Sequence, residues 1–133
     1  MKPFIKKITV KKADLDDLDH VNNVRYVQWI QDISKEHWEK SVPEKLNNAV
    51  IWVVQNHNIT YKGAAKLGDV ITLKTYIAAT KGATSHRVVE MRNEQTGELL
   101  LESKTTWCLL DPKTFRPMRI SGEISAIFAD KES

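Results

Sequence analysis

One long helical pattern constrains the fold of this chain more than any other feature of its sequence. From Asn23 to about Lys40, apolar residues recur at three- and four-residue intervals, the spacing of an amphipathic helix. The predicted apolar face comprises Val24, Val27, Ile30 and Ile33, widened by Tyr26, Trp29 and Trp38. At about 1.5 Å per residue this helix is about 27 Å long, enough to cross a small sheet. We therefore expect a single helix that packs across a sheet.

The remainder of the chain carries β-strand patterns. Strands are predicted at 4–10, 49–61, 71–77, 85–92 and 99–110. The strand at 49–61 opens on a continuous apolar run and is predicted to be mostly buried. A short segment at 118–120 and a polar helix from Ser121 complete the chain. One strand, one long helix and then a meander of four strands predict an α+β fold, with an antiparallel sheet wrapped around a long central helix.

Length and composition limit the classes of protein to which the chain can belong. We expect one domain over residues 1–133. The longest apolar run, Ala49 to Val54, is far shorter than the ~20 residues that span a bilayer, so no membrane association is expected. The absence of a recognisable secretory signal and the single cysteine, Cys108, favour a cytoplasmic protein. A net charge of +3, without a basic stripe, argues against nucleic acid as a partner.

Four carboxylates crowd the segment just before the helix, at Asp14, Asp16, Asp17 and Asp19. Acids here can cap a helix and complement its dipole, but a single acid or asparagine suffices for that, and four repel one another. An EF-hand loop is excluded, because its glycine and glutamate positions are occupied by Asp19 and Arg25. A phosphotransfer "DxD" site normally ends a buried strand, whereas two lysines precede this cluster.

Catalysis is the other interpretation of the same junction. The first N–H groups of a helix carry partial positive charge and suit a developing oxyanion. A carboxylate a few residues earlier can act on a substrate carbonyl as general base or as nucleophile. The residues alone leave capping and catalysis open.

The stretch "DLDDLDHVNNVRYVQWI" resembles the motif D-x-D-x-x-G-H-V-N-N-x-x-Y of the hotdog-fold acyl thioesterases (4-hydroxybenzoyl-CoA thioesterase-like), and most of all the fatty acyl-ACP thioesterases. The stretches "ITYKGAAKLGDVITLKT" and "ESKTTWCLLDPKTFRPMRI" are also similar to that family. The resemblance implies a hotdog fold and hydrolysis of acyl thioesters of CoA or acyl carrier protein, with no cofactor and no metal. It also implies a homodimer or homotetramer whose sheets join edge to edge and whose sites are shared across the interface.

The resemblance assigns catalytic roles to three residues around the helix start. Asp16, four residues before the histidine, matches the catalytic acid of the family. His20 matches the histidine of the fatty acyl enzymes, and the backbone N–H of Asn23 matches the group that polarises the thioester carbonyl. Whether Asp16 attacks the carbonyl or activates water stays open.

The chain departs from the family motif at several positions. Asp19 replaces the usual glycine before the histidine, and Leu18 replaces an asparagine. Ala64 and Ala65 occupy the positions of a Glu-Cys pair, so a cysteine nucleophile is not expected. A non-catalytic hotdog protein that binds an acyl thioester is therefore the alternative. A dehydratase is disfavoured because its histidine motif is missing.

The remaining candidates are proposed substrate contacts, namely Tyr26, Lys62, Gly82, Thr84 and Ser85. Tyr26 is a core residue of the helix that could also line an acyl channel. The small residues of the turn at 81–85 allow close approach of a phosphate or pantetheine group. The other basic residues are interpreted as a solvated face, and some of them would meet CoA phosphates or an acidic carrier if the chain is a thioesterase; they are Lys66, Lys81, Arg87 and Lys104. The remaining histidines, His37, His57 and His86, are interpreted as structural or surface positions, and Cys108 as a packing residue.

Overall fold

The structure, a computed structural model, describes residues 3–129 and contains five strands and three α-helices in that range. In chain order the elements are β1 (Phe4–Thr9), a 3-10 turn (Lys12–Asp14), α1 (Asn23–Ser41), α2 (Glu44–Asn48), β2 (Ile51–Tyr61), β3 (Val70–Lys81), β4 (Thr84–Asn93), β5 (Leu99–Leu110) and α3 (Gly122–Phe128). The predicted strands, the long helix and the C-terminal helix are confirmed. The sequence did not predict α2, a helix of five residues with Pro43 at its N-cap position.

The five strands form one antiparallel sheet in the order β1-β3-β4-β5-β2. The predicted four-strand meander is therefore wrong in one respect, since β2 pairs with β5 and not with β3. Within residues 3–129, only β3, β4 and β5 are joined by short turns. Residues 62–69 carry the chain across one end of the sheet, from one edge strand to the far side. This crossing brings the 62–69 loop next to the acidic segment that precedes α1.

The prediction that β2 is mostly buried is also wrong. Every residue of β2 is at least partly exposed, because the strand lies at the edge of the sheet. The apolar residues at the start of β2 are covered on one face only. There Trp52 packs against Trp38 of α1 at a ring-centroid distance of 5.6 Å. A continuous apolar run is therefore compatible with an edge strand that has one covered face.

Helix α1 packs against one face of the sheet and supplies the centre of the core. Ile30 and Ile33 are fully buried against Ile71, Leu73 and Leu101 of the sheet. The buried face of the helix is Tyr26, Trp29, Ile30, Ile33, Ser34, His37 and Trp38. The prediction for Val24 is wrong, since its side chain is 75% exposed in the first turn, outside the apolar stripe.

A second apolar cluster closes the other end of α1. It joins Trp38 to Leu109 of β5 and to Ile124 and Phe128 of α3. The hydroxyl of Ser121 accepts a hydrogen bond from the N–H of Ile124 and so caps α3. Within residues 3–129 the structure contains no helix that is both long and apolar enough to cross a membrane.

Candidate active site

The acidic segment folds back on itself just before α1. The N–H of Asp16 donates to the carbonyl of His20 at 2.7 Å, and the N–H of Asn22 donates to the carbonyl of Asp14 at 2.9 Å. Leu15 and Val21 form an isolated antiparallel bridge between these two hydrogen bonds. The chain therefore forms a small closed loop whose tip holds residues 16–20.

Asp16 uses one carboxylate oxygen to hold this loop. Its Oδ1 accepts the N–H of Leu18 at 2.8 Å and the N–H of His20 at 3.2 Å. Across the described part of the chain, Oδ2 accepts no hydrogen bond and forms no ion pair. The carboxylate is partly buried, so it has a fixed orientation and one oxygen available to a ligand.

The start of α1 leaves one backbone donor free beside this loop. The side chain of Asn22 accepts the N–H of Val24 at 3.0 Å and so caps the helix, as the capping interpretation predicts for one of the two asparagines. The N–H of Asn23, the first helical residue, finds no acceptor within residues 3–129. The helix therefore presents a free donor, and its positive dipole end, next to Asp16 and His20.

The other acids of the cluster have structural or surface positions. Asp14 accepts the N–H of Lys11 at 2.8 Å and forms an ion pair with Arg25 at 3.1 Å, which ties the loop to α1. Asp17 is exposed. Asp19 has φ +59°, in the left-handed region that favours glycine. The glycine of the family motif thus corresponds to a backbone requirement, which Asp19 meets with some strain.

The 62–69 loop lies against this junction. The N–H of Val21 donates to the carbonyl of Ala65 at 3.0 Å. The N–H of Ala65 donates to the hydroxyl of Tyr26 at 3.3 Å. Tyr26 is buried, and this burial is the main reason that its pKa is raised above 10.0. Lys62 is exposed at the start of the same loop.

Three of the predicted substrate contacts lie elsewhere in the chain. Gly82 is in the β3–β4 turn, and Thr84 and Ser85 are the first two residues of β4. The acidic loop is near Val70, at the opposite end of β3, which is about 35 Å long at 3.2–3.4 Å per residue. One chain therefore has Asp16, His20 and Asn23 around the start of α1, with Lys62 in the loop whose Ala65 contacts this junction, and the turn lies at the other end of β3. The hydroxyl of Thr84 donates to the carbonyl of Lys81, and Ser85 is buried.

A cavity of about 400 Å³ lies between α1 and the sheet. Its interior wall includes Trp38 of α1, Trp52 of β2, Trp107 of β5, and Ser85 and Arg87 of β4. A smaller pocket of about 180 Å³ lies beside the start of α1, against Asn22 and Arg25. The two share Gln28 in their linings, and the larger cavity extends from there along α1 as far as Trp38 and Glu39.

Arg87 is the residue that sequence reasoning misplaced. The expectation that Arg87 belongs to a solvated face is wrong, because its side chain is only 5% exposed. Its Nη1 donates to His37 Nδ1 at 2.8 Å and to Thr75 Oγ1 at 3.0 Å. The alternation of Ser85, Arg87 and Val89 along β4 was the available signal, because alternate residues of a strand share a face.

Burial shifts the pKa values of this buried pair. Burial, and to a lesser extent the charge of Arg87, lower the pKa of His37 from 6.5 to about 4. Burial lowers the pKa of Arg87 to about 10. At neutral pH the imidazole is therefore neutral and accepts at Nδ1, while the guanidinium remains protonated.

The other singled-out side chains take structural positions. Cys108 is a free, buried cysteine. His57 shares a hydrogen bond with Thr105 at 2.7 Å, and its pKa is lowered by burial. His86 is exposed on β4. Over the described range, no three His, Cys, Asp or Glu side chains are grouped closely enough to hold a metal ion.

Comparison with known protein sequences matches almost the whole chain to one family. A sequence model described as the acyl-ACP thioesterase N-terminal domain matches residues 2–128. A chloroplastic palmitoyl-acyl carrier protein thioesterase of Gossypium hirsutum is 26% identical over 96 residues, which is 69% of this chain and 23% of that protein. The chain thus spans about a quarter of the length of the curated relatives that it matches.

Solved structures share the architecture. A probable thioesterase from Escherichia coli superposes with a TM-score of 0.84 at 25% identity, covering 92% of this chain and 94% of the other. The 12:0-ACP thioesterase from Umbellularia californica gives a TM-score of 0.84 at 18% identity, with coverages of 96% and 51%. A 1,4-dihydroxy-2-naphthoyl-CoA thioesterase from Synechocystis gives 0.85 at 12% identity, covering 99% of each chain. These matches confirm the predicted hotdog fold.

Proposed function

We infer that this chain, which belongs to the acyl-ACP thioesterase family, hydrolyses acyl thioesters to a free acid and a thiol. The observation that carries the proposal is that a fixed carboxylate and a free helix N–H occur at the same junction, the start of α1. Asp16 has an available Oδ2, and the first N–H of α1, at Asn23, has no acceptor in the described chain. The folded-back loop, in which Leu15 pairs with Val21, connects the segment of Asp16 to the start of α1.

In the proposed reaction the thioester carbonyl oxygen accepts the N–H of Asn23. Negative charge that develops on this oxygen is stabilised by the donor and by the helix dipole. Asp16 Oδ2 removes a proton from the attacking water, or attacks the carbonyl carbon itself to form a mixed anhydride that water then hydrolyses to the free acid. The C–S bond then breaks, and the thiolate leaves and takes up a proton. His20 is proposed as the acid–base partner, because it lies in the same loop and its ring is partly exposed.

The proposed substrates are thioesters of CoA or of acyl carrier protein. Proteins similar to this chain support this range, since two are acyl carrier protein thioesterases and a third is a CoA thioesterase. Lys62 is exposed at the start of the 62–69 loop, and we propose that it meets a phosphate of the carrier group. The cytoplasmic location expected from the sequence stays a prediction.

We also propose that the active form is a homodimer or homotetramer joined through β2. This strand is the longer edge of the sheet and contains no charged residue in its eleven positions. The opposite edge strand, β1, is six residues long and carries Lys6 and Lys7, which disfavour pairing. Gly82, Thr84 and Ser85 lie too far from Asp16 of their own chain, so a substrate role for them requires the site of a second chain.

The test compares Asp16→Asn with Asp17→Asn on a panel of acyl-CoA and acyl-carrier thioesters of increasing length, with thiol release as the readout. Asparagine keeps the oxygen that accepts the two loop N–H groups, so the loop should stay folded. We expect turnover to fall by about a hundredfold or more in Asp16→Asn. Asp17 is exposed in the same loop, and its variant should retain wild-type turnover.

Equal rates in the wild type and Asp16→Asn would contradict the proposed mechanism. Binding of the thioesters by the wild type without any turnover would instead identify a non-catalytic acyl-thioester-binding protein. Circular dichroism of both variants shows whether the comparison is made on folded protein.

A further inference from the structure

The cavity between α1 and the sheet contains a buried cation that the proposed hydrolysis does not use. Arg87 projects from β4 into a wall that it shares with Ser85, Trp52 and Trp107. The cavity volume of about 400 Å³ falls in the range of small-molecule sites. The guanidinium contacts His37 of α1. His37 lies about 21 Å along the helix from Asn23, at 1.5 Å per residue.

Arg87 has no counter-ion in the described chain. The ion pairs of residues 3–129 involve other cations, and no carboxylate lies within ion-pair distance of Arg87. Two acids of the cavity lining, Asp32 and Glu39, are exposed at its rim together with Lys35. A buried charge without a partner is costly. The presence of the Arg87 guanidinium in the core therefore favours an anionic ligand.

The guanidinium also has donors to spare. Arginine has five N–H donors, and Nη1 uses its two on His37 and Thr75. The Nε and Nη2 donors make no hydrogen bond to any described residue. His37 cannot supply a negative charge, and its neutral ring leaves the full positive charge on Arg87.

Two further donors on the same wall lack acceptors. The indole N–H groups of Trp52 and Trp107 are buried and make no hydrogen bond within the described residues. Both residues line the cavity, and their side chains share the sheet face that carries Arg87. The wall thus combines several unsatisfied donors with flat apolar surfaces.

We propose that this cavity binds an organic carboxylate, with the charge of the ligand opposite Arg87 and its apolar body against the tryptophans. A carboxylate has two acceptor oxygens and matches the fork of the guanidinium. The carboxylate has one of two sources. It is a free carboxylic acid, or it is the distal carboxylate of an acyl group that is bound as a thioester.

The first measurement is binding of decanoate and of its neutral methyl ester to the purified protein. Trp38, Trp52 and Trp107 line the cavity, so intrinsic tryptophan fluorescence reports occupancy directly. We expect decanoate to bind about tenfold more tightly than the ester, as befits hydrogen bonds to a charged group. Equal affinities, or no binding of decanoate, would overturn the proposal.

Matched variants test whether Arg87 is responsible for the preference for decanoate over the ester. Arg87→Met should lower decanoate affinity about tenfold and leave ester affinity unchanged. Arg92→Met removes an exposed arginine from the same strand and should change neither affinity. An equal loss for both ligands in Arg87→Met would show a packing defect and contradict the proposal. If Arg87→Met does not fold, Arg87→Lys retains the charge and should still prefer the acid to the ester.

The two sources are separated by thioester kinetics, which rest on the proposed function. Sebacoyl-CoA, with a distal carboxylate, is compared with decanoyl-CoA. A lower KM for sebacoyl-CoA that disappears in Arg87→Met identifies the distal carboxylate as the ligand. Equal KM values together with decanoate binding identify a free acid. Absence of turnover with every thioester would contradict the proposed hydrolysis, while the fluorescence result would still decide the carboxylate site.

Discussion

At the scale of single residues, backbone conformation explains one departure from the family motif. Asp19 has φ +59°, a conformation that costs residues with a Cβ about 1–2 kcal/mol and costs glycine nothing comparable. Aspartate tolerates it better than most residues because its short polar side chain can hydrogen-bond locally. The loop that positions Asp16 therefore contains residual strain at the position where the related enzymes have glycine.

Asp19→Gly should consequently stabilise the protein. We expect a gain of about 0.5–1 kcal/mol in the free energy of unfolding, after the extra flexibility of glycine in the unfolded chain is subtracted. Urea denaturation measures this change. Asp17→Gly is the matched control, since Asp17 does not have a positive φ and should lose stability on the same substitution. A loss of stability in Asp19→Gly would contradict the assignment of strain.

At the candidate site, residue positions could be predicted only where they depend on local sequence. The helix start is a local pattern, and the structure has the cap at Asn22 and the first helical residue at Asn23. The catalytic roles of Asp16 and Asn23 are implied by the family resemblance and stay predictions. The burial of Arg87 could not be predicted in the same way. It depends on contacts with His37 and Thr75, which lie 50 and 12 positions away in sequence.

At the scale of secondary-structure elements, α1 is coupled to the sheet through the His37–Arg87 contact. The stacking of His37 on Phe4 of β1 and its edge contact with Phe128 of α3 leave little room for water. The native pKa of His37 is about 4, below the ordinary value of 6.5 in an unfolded chain. As the pH falls below about 6.5, the unfolded chain therefore takes up a proton that the native protein does not.

The free energy of unfolding should therefore fall as the pH is lowered from 7 towards 4. Above pH 7 the imidazole of His37 should have little effect on it. We expect His37 to contribute about 2 kcal/mol of the loss between pH 7 and pH 5. His37→Gln, which keeps an acceptor for Arg87, should flatten the profile measured by urea denaturation at each pH. The exposed His86→Gln is the control and should retain the wild-type slope. Superposable slopes for His37→Gln and wild type would contradict the coupling.

At the scale of the whole molecule, strand pairing was the least predictable property. The strand and helix positions follow from local periodicity, and α1 and four of the strands appear close to where the pattern placed them. Periodicity does not specify partners, so the pairing of β2 with β5 was missed and with it the edge position of β2. The short helix α2 was missed because five residues are too few to show a helical period.

The two edges of the sheet differ in a way that predicts how chains associate. An edge strand exposes unpaired backbone donors and acceptors, and lysine on such a strand blocks pairing. Val53 on β2 is 37% exposed, and Ile5 on β1 is 57% exposed, so both tolerate a lysine sterically. Since β2 lacks charge and β1 already carries lysines, only a new charge on β2 should disturb an interface.

Val53→Lys should therefore dissociate the proposed oligomer, whereas Ile5→Lys should leave it intact. Analytical ultracentrifugation of the wild type is expected to give two or four times the mass of one chain, and of Val53→Lys a smaller species. If the Gly82–Ser85 turn completes the site of a second chain, turnover should fall together with the mass in Val53→Lys and not in Ile5→Lys. A monomeric wild type, or dissociation by Ile5→Lys alone, would rule out association through β2.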